Sequence, residues 1–248
     1  MKLLKLNQES RIFKLQMYRI VEYEQGWENY LIFEKKHIDR KCTDYIEISI
    51  NTINVNTINH FEECGYRFSE FRIERSLFLN DLAINESSYY PYTLDIVADL
   101  DTLKKILKIA SSIHFDDRFS IGGNVSKGYS TKRNISFLKN AFIKKGEFIL
   151  YFFNRQNQKI LGYQTGKFVN NNEVLLFLSG RSEMYDLNNY HEMFDLLFFK
   201  WLSKSKIKFV KAVSSSVNLN ELNIAFQSQR FKIDNTSVTL QKWFSKQI

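Results

Sequence analysis

The sequence has few cysteines, no long apolar run and little at its start that could direct secretion. Two cysteines in 248 residues, Cys42 and Cys64, are too few for a disulfide framework and are typical of a protein in a reducing compartment. The opening "MKLLKLNQESRIF" holds one short apolar pair before it turns polar, which is too little for a signal peptide. The longest apolar runs, "ILYFF" and "VLLFL", have the length of strands and not of membrane spans. We therefore expect a cytoplasmic protein without membrane insertion.

Histidine is equally scarce, and this argues against a metal site. The four histidines are spread from His37 to His191, with no second histidine at ligand spacing. The segment "HFDDRF", which holds His114, Asp116 and Asp117, is the best cluster of polar ligands. It has two interpretations: a helix end with a charged cap, or a group that works in acid–base chemistry and substrate binding. We expect no metal.

Basic residues outnumber acidic ones, and the chain carries a formal net charge of +8. Such a balance can indicate nucleic-acid binding, or a lysine-rich surface that follows from a biased composition. The basic residues are scattered pairs among acidic ones, without a long basic run or an aromatic-basic RNA-recognition motif. We expect no nucleic-acid partner. A positive cleft would also concentrate an anionic small substrate.

Proline occurs once, at Pro91, within the polar stretch "NDLAINESSYYPYT". Polar residues, a tyrosine pair and the single proline together indicate a boundary between units. We predict an N-terminal α/β domain over residues 1–92 and a second domain over residues 93–248. In the first domain, "RIFKLQMYRIVEY" alternates as a strand does, and "NTINHFEECG" has the pattern of a helix that Gly65 ends in a left-handed conformation.

The second domain has a clear order of predicted elements. The strand "YTLDIVAD" precedes the helix "LDTLKKILKIASSI", whose Leu103, Ile106, Leu107 and Ala110 share one face. A second helix, a meander of three strands with "NRQNQ" and "VNNNE" turns, and the helix "NNYHEMFDLLFFKWLSKSK" follow. The strand "IKFVKAV", a short helix and a final strand complete the order.

The segment "AVSSSVNLNELNIAFQSQRFKIDNTSVTLQKWF" has a strand, an asparagine-containing corner, a short helix and a strand that ends in "KW". Together with "IASSIHFDDRF" and "GYQTGKF", it resembles the GNAT acyltransferases, and among them the sugar-nucleotide N-acyltransferases of the TDP-fucosamine acetyltransferase type. The resemblance covers residues 93–248. It implies an α/β fold with a central mixed, mostly antiparallel sheet flanked by helices, and an N-terminal α/β domain that can itself be GNAT-like.

The resemblance also implies a site for acyl-CoA as co-substrate. In such folds two adjacent strands splay apart around the pantetheine, and here they would end near Ser179 and Ala212. The helix that follows the first of these strands would offer free N–H groups and a favourable dipole to the pyrophosphate. The residues implied to bind acyl-CoA are Leu178, Leu187, Asn188, Asn189, Tyr190, His191, Ser214 and Asn218. For His191, an ordinary position at the helix N-terminus is the alternative.

Two positions depart from the pattern of these acyltransferases. Their glycine-rich phosphate loop falls on "DLNNYH", which has no glycine, so Asn188 and Asn189 would have to adopt the unusual backbone angles. Loss of CoA binding is the alternative interpretation. Phe226 stands where the pattern often has a tyrosine that protonates the leaving thiolate, so orientation of the two substrates would supply much of the rate.

The residues implied to act in catalysis are Asp116, Asp117, Ser179 and Asn218. Either aspartate could accept the proton of the amine, and a backbone N–H near Leu178 or Ser179 could polarise the thioester carbonyl. In the site for the acceptor, Arg118 and Arg133 would pair with phosphate oxygens. The residues implied to bind the acceptor are Phe115, Arg118, Phe119, Arg133 and Tyr163.

The favoured hypothesis is a CoA-dependent sugar N-acyltransferase (EC 2.3.1 type). It would move an acyl group from acyl-CoA to the amine of a nucleotide-linked amino-deoxysugar, such as a dTDP-3- or 4-amino-dideoxyhexose, for lipopolysaccharide or capsule biosynthesis. Two alternatives stay open: a GNAT-type acyltransferase for a peptide, lysine or polyamine, and a degenerate relative that binds a partner without catalysis. A homodimer is one option for its assembly.

Overall fold

A computed structural model describes residues 2–22, 27–39, 42–79, 90–113, 119, 125, 127–182, 190–216, 222–223, 225–226 and 230–244. The first elements are β1 (Lys2–Lys5), α1 (Asn7–Phe13), β2 (Met17–Glu22), α2 (Trp27–His37), β3 (Tyr45–Asn51), α3 (Val55–Glu63) and β4 (Arg67–Phe78). The next are β5 (Tyr92–Ile96), α4 (Leu100–Ser112), α5 (Lys127–Ile143), β6 (Glu147–Asn154), β7 (Lys159–Asn170) and β8 (Glu173–Arg181). The last are α6 (His191–Lys204), β9 (Phe209–Ser215) and β10 (Lys232–Trp243).

The described strands form one 10-stranded sheet in the order β1-β2-β3-β10-β4-β9-β8-β7-β6-β5. Among the described pairs, β2–β3 and β8–β9 are parallel and the others are antiparallel. The predicted mixed, mostly antiparallel sheet with flanking helices is therefore confirmed. The strand β10 lies between β3 and β4, so the end of the chain completes the sheet of the first half. The domain boundary at residue 92 stays a prediction.

Helices cover both faces of the sheet. Because side chains alternate along a strand, Ile46 and Ile48 of β3 pack with the helices α2 and α3, whereas Tyr45 packs on the opposite side with residues of α1. The helix α6 lies on the same side as α2 and α3, and we call this side the α6 face. The helices α4 and α5 lie on the side of α1, which we call the α5 face.

The local predictions are confirmed in most of these elements and wrong in one. Gly65 follows α3 with a φ of 88°, as a left-handed helix end requires. The strand predicted for "RIFKLQMYRIVEY" is wrong at residues 11–13, which belong to α1. This helix ends at Lys14 in a left-handed conformation, and β2 begins at Met17. Tertiary packing explains the difference, because Phe13 is buried against the rings of Phe119 and Tyr129.

A buried ion pair fixes β10 in the first half of the chain. Lys242 of β10 donates from Nζ to both carboxylate oxygens of Glu34 in α2, at 2.9 and 3.0 Å, and to the carbonyl oxygen of Cys64 at 2.7 Å. The side chain of Glu34 is 2% exposed. Beside this pair, the hydroxyls of Tyr30 and Tyr66 lie 2.7 Å apart, and burial raises the pKa of both phenols. The C-terminal strand therefore holds its place through specific polar bonds as well as backbone pairing.

Candidate active site

Two adjacent strands of the sheet separate part-way along their length. The parallel strands β8 and β9 pair from Glu173 and Phe209 as far as Leu176 and Ala212. Beyond this point β8 continues to Arg181 against β7, and β9 continues to its end against β4. A gap therefore opens in the middle of the sheet, at the place where the resemblance implied that the two strands splay apart.

A bulge in β8 lies where the gap begins. Gln164 faces Ser179 and Gly166 faces Leu176, so two residues of β8 stand opposite the single residue Thr165 of β7. Such an extra residue bends the bulged strand and increases its twist. Because the bend falls directly after the last β8–β9 pair, we infer that it turns β8 away from β9.

The side chain of Thr165 holds this bulge in place. Its Oγ1 accepts a hydrogen bond from the backbone N–H of Leu178 at 2.9 Å and donates to the carbonyl oxygen of the same residue at 3.0 Å. Gln164 adds a longer bond from Nε2 to that carbonyl, at 3.4 Å. Thr165 is 3% exposed, so these bonds replace the backbone pairing that a buried peptide group otherwise needs. The expected thioester donor is therefore Ser179, since the Leu178 N–H is already bonded.

A small pocket lies beside the gap on the α6 face. Its cavity of about 50 Å³ has room for a few water molecules or for one end of a ligand. Its aromatic wall consists of Phe194, Phe198 and Phe199 from the first turn and the middle of α6, together with Phe231. The pocket thus lies between the separated strands and the residues 194–199 of α6.

Two buried charged residues line the same pocket, Arg75 of β4 and Asp195 of α6. The guanidinium carbon of Arg75 lies 4.8 Å from the centre of the Phe231 ring. Neither residue was predicted from the sequence to belong to the site, although each gives a signal there. Arg75 takes a position of the apolar phase in "FRIERSLFL", and Asp195 is the acid within the apolar run "MFDLLFF".

Tyr163 and Gly180 meet at the wall of the pocket. They are directly paired across β7 and β8, and a Cβ atom on Gly180 would lie 2.3 Å from Cε1 of the tyrosine ring. Only glycine therefore allows this close approach. Tyr163 is 1% exposed, burial raises the pKa of its phenol, and its hydroxyl has no hydrogen-bond partner among the described residues.

Comparison with known proteins gives matches in structure alone. No protein-family model matches the chain, and neither does any curated protein. A functionally unknown conserved protein from Staphylococcus epidermidis has a TM-score of 0.62 at 10% identity, over 94% of this chain and 85% of that chain. A GCN5-related N-acetyltransferase from Sphaerobacter thermophilus has a TM-score of 0.61 at 13% identity, over 90% and 67%. A tandem GNAT protein from the clavulanic acid biosynthesis pathway has a TM-score of 0.59 at 10% identity, over 94% and 76%.

The chain has the GNAT fold. The GNAT fold expected from the sequence is thus confirmed. At identities of 10–13%, these matches establish a shared architecture alone and say nothing about activity.

The GNAT fold brings some of the predicted cofactor residues to the gap. Leu178 belongs to the bulge of β8, and Ser179 follows directly after it. Ser214 is buried near the end of β9. The helix α6 begins at His191, and its residues Phe194 and Asp195 line the pocket beside the gap. Tyr190, just before it, has its hydroxyl 2.8 Å from that of Tyr92 in β5, a bond that raises the Tyr190 pKa.

Two of the predicted acceptor residues pack on the α5 face, away from the pocket. Phe119 is fully buried and contacts the rings of Phe13 and Tyr45. Arg133 of α5 lies over the Phe119 ring, with its Nε 3.6 Å from a carboxylate oxygen of Glu9. A phosphate would therefore have to share this guanidinium with Glu9.

The remaining predictions concern residues that the structure leaves outside its description. These are Phe115, Asp116, Asp117, Arg118, Leu187, Asn188, Asn189 and Asn218. Their expected roles stay predictions. Phe226 stands where the GNAT pattern often has a tyrosine, and it packs against the aromatic core around α6.

The part of the chain that the structure describes holds no second kind of candidate site among metal centres and membrane-spanning helices. Within the described ranges, no group of three or more His, Cys, Asp or Glu side chains could hold a metal ion. In the same part of the chain, no helix has the length and apolar character needed to cross a membrane.

Proposed function

We propose that this chain is an N-acyltransferase that uses acyl-CoA. The observation that carries the proposal is the separation of β8 and β9 beyond Leu176 and Ala212. Strand edges that separate inside a sheet lack each other's N–H and C=O groups as partners. The two amides of a pantetheine chain can supply such partners, much as an added strand would.

The residues around the gap fit this cofactor. Aromatic side chains from α6 offer an apolar wall for the methylene groups, and the cavity is large enough for the thioester end alone. The N-terminus of α6, at His191, offers N–H groups and a favourable dipole to a pyrophosphate. Arg75 and Asp195 add one charged group of each sign to the lining of the pocket.

The chemistry needs little more than position. The neutral amine attacks the thioester carbonyl carbon, the C–N bond forms as the C–S bond breaks, and the amine proton leaves to a base or to water. The Ser179 N–H would polarise the carbonyl oxygen, and Asp116 or Asp117 would take the proton. The departing thiolate has a thiol pKa of about 8.5 and needs no strong acid, in keeping with phenylalanine at position 226.

For the acceptor, we propose the amine of a nucleotide-linked amino-deoxysugar, such as a dTDP-3- or 4-amino-dideoxyhexose. The resemblance of residues 93–248 to sugar-nucleotide N-acyltransferases supports this choice. The net charge of +8 supports it as well, because a nucleotide diphosphate carries two negative charges. A polyamine would favour an acidic cleft instead.

An assay of CoA release tests the proposal. The purified protein is offered acetyl-CoA or a longer hydroxyacyl-CoA with dTDP- and UDP-linked amino sugars, and with spermidine and a lysine peptide for comparison. We expect thiol release with at least one nucleotide sugar and none with the other amines. Release with spermidine or the peptide alone would contradict the sugar acceptor and leave acyl transfer intact.

A binding experiment separates an enzyme from a non-catalytic relative. A ligand that binds the native state alone stabilises it by about 2.7 kcal/mol at 100 times its Kd. Acetyl-CoA should therefore raise the melting temperature in a concentration-dependent manner. No shift at millimolar acetyl-CoA would show that the gap does not bind this cofactor.

A further inference from the structure

The backbone of β8 shows where a thioester carbonyl would sit in the gap. The N–H of Ser182 donates to the carbonyl oxygen of Leu161 in β7 at 2.8 Å. From Ser179 to Arg181 the pairing with β7 is regular, and successive residues of an antiparallel strand turn their N–H groups to opposite sides. Three residues before Ser182, the N–H of Ser179 therefore points away from β7 and into the gap. It can donate to a carbonyl oxygen there.

The gap is closed at one end and open at the other. It closes at Leu176 and Ala212, the last pair between β8 and β9. A CoA whose pyrophosphate lies at the start of α6 comes from the open end, because α6 follows the end of β8 along the chain. The acyl group is the part of acyl-CoA farthest from the pyrophosphate. It therefore lies on the closed side of Ser179.

The space for this group is short. Leu176 and Ser179 face Gly166 and Gln164, which are two positions apart on β7, so the closed end lies about 7 Å from the carbonyl donor. A long acyl chain would meet the paired strands at this end.

The pocket beside the gap occupies this closed end. Leu176 and Ser179 both line it, and so does Arg75, which pairs with Ala212 across β4 and β9. The cavity measures about 50 Å³. A bound water needs roughly 10–15 Å³, so the cavity has room for about four non-hydrogen atoms of a ligand. An acetyl group places only its methyl carbon beyond the carbonyl and would leave most of this space unfilled.

The lining indicates the chemistry of the group that fills the pocket. Leu176 and four phenylalanines make most of the wall apolar, whereas Arg75 and Asp195 bring a guanidinium and a carboxylate and are 5% and 8% exposed. A guanidinium has five N–H donors and a carboxylate about four acceptor sites, so each can bind a ligand in addition to a protein group. A hydroxyl group can accept from the first and donate to the second. A carboxylate on the acyl chain would be repelled by Asp195, and an ammonium group by Arg75.

We propose that this pocket is the acyl-group site, and that it selects a short acyl chain of about four carbons that carries a hydroxyl group. Arg75 and Asp195 recognise the hydroxyl. The proposal rests on the proposed function and adds the class of acyl donor.

A series of acyl-CoA donors tests the proposal on the wild-type protein. Butyryl-CoA is the matched control for 3-hydroxybutyryl-CoA, since it lacks only the hydroxyl oxygen. With one amine acceptor, kcat/KM should be roughly tenfold higher for one enantiomer of 3-hydroxybutyryl-CoA than for butyryl-CoA, as expected for a hydrogen bond to a charged group. Octanoyl-CoA should be a poor donor because its chain exceeds the pocket. Equal use of the two four-carbon donors, efficient use of octanoyl-CoA, or a preference for succinyl-CoA would overturn the proposal.

The variant Asp195→Asn tests the recognition of the hydroxyl. It keeps the shape of the side chain and removes its charge, so the preference for 3-hydroxybutyryl-CoA over butyryl-CoA should fall from about tenfold to about threefold. This preference is a ratio measured on one preparation, so a partial loss of folded protein cancels. Asp101→Asn, whose side chain is 82% exposed in α4, is the control and should keep the wild-type ratio. An unchanged ratio in Asp195→Asn would contradict the proposal.

A binding measurement separates this inference from the proposed function. Should the wild type acylate no amine, the proposed function fails, and calorimetric titration with the same two donors decides the inference. 3-Hydroxybutyryl-CoA should then bind more tightly than butyryl-CoA. Equal affinities, or no binding of either donor, would refute it.

Discussion

Replacing Thr165 with valine removes the hydroxyl that holds the β8 bulge and keeps nearly the same side-chain shape. In the native structure this hydroxyl bonds both the N–H and the carbonyl oxygen of Leu178, at 2.9 and 3.0 Å. In Thr165→Val the N–H loses this partner, and the carbonyl keeps the long bond from Gln164. The serine variant, Thr165→Ser, retains the hydroxyl and loses one methyl group.

The two variants should differ in a predictable manner. The Leu178 N–H left without a partner costs about 1–3 kcal/mol, and the bond lost at the Leu178 carbonyl adds about 1 kcal/mol, so Thr165→Val should lower the free energy of unfolding by about 2–4 kcal/mol. Thr165→Ser should lower it by about 1 kcal/mol, the cost of one buried methyl group. A loss of 1 kcal/mol lowers the melting temperature of a domain of this size by about 2–4 °C.

Urea denaturation and acyl-CoA kinetics together check this reasoning. If the bulge turns β8 away from β9, Thr165→Val should also raise the KM for acetyl-CoA severalfold, while Thr165→Ser stays close to the wild type. The account of the bulge is refuted if the valine variant is as stable as the serine variant. An unchanged KM in a destabilised valine variant would show that the gap does not depend on the bulge.

Three further predictions concern stability. Lys242→Met should lower the free energy of unfolding by about 3–5 kcal/mol, because it leaves the buried Glu34 carboxylate without its cation. In urea denaturation, the double variant with Glu34→Gln should recover most of this loss. A double variant that is no more stable than Lys242→Met alone contradicts this account. Gly180→Ala should lower the free energy of unfolding by about 1–3 kcal/mol, because its Cβ would overlap the buried ring of Tyr163. Gly128→Ala is the control, since it has open space around it in α5, and it should leave the free energy of unfolding unchanged or raise it. Equal effects of the two variants would argue against the overlap. Asp99 caps α4, and the hydrogen bonds that its carboxylate accepts from Thr102 lower the pKa of the carboxyl. Above pH 4 the melting temperature of Asp99→Ala should therefore lie below that of the wild type, and the two should converge as the pH falls through the lowered pKa. A difference in melting temperature that does not change with pH would rule out the charged cap.

The sequence by itself determined the local structure. The periodicity of "LDTLKKILKIASSI" placed Leu103, Ile106 and Ala110 on one buried face, and Gly65 ended α3 as expected. The order of elements after residue 92 was enough to indicate a GNAT fold and the two strands that separate. These features depend on residues within a few positions of each other, or on motifs that stay together along the chain.

The tertiary structure alone decided which distant segments meet. Lys242 reaches Glu34, and Arg75 lies against Phe231, across most of the length of the chain. No local pattern specifies that β10 enters the sheet between β3 and β4, because strand partners and register are chosen by the packing of both faces at once. The buried polar residues Glu47 of β3 and Thr239 of β10 come together only through that choice. The same reason explains residues 11–13, where the burial of Phe13 overrode a strand-like pattern.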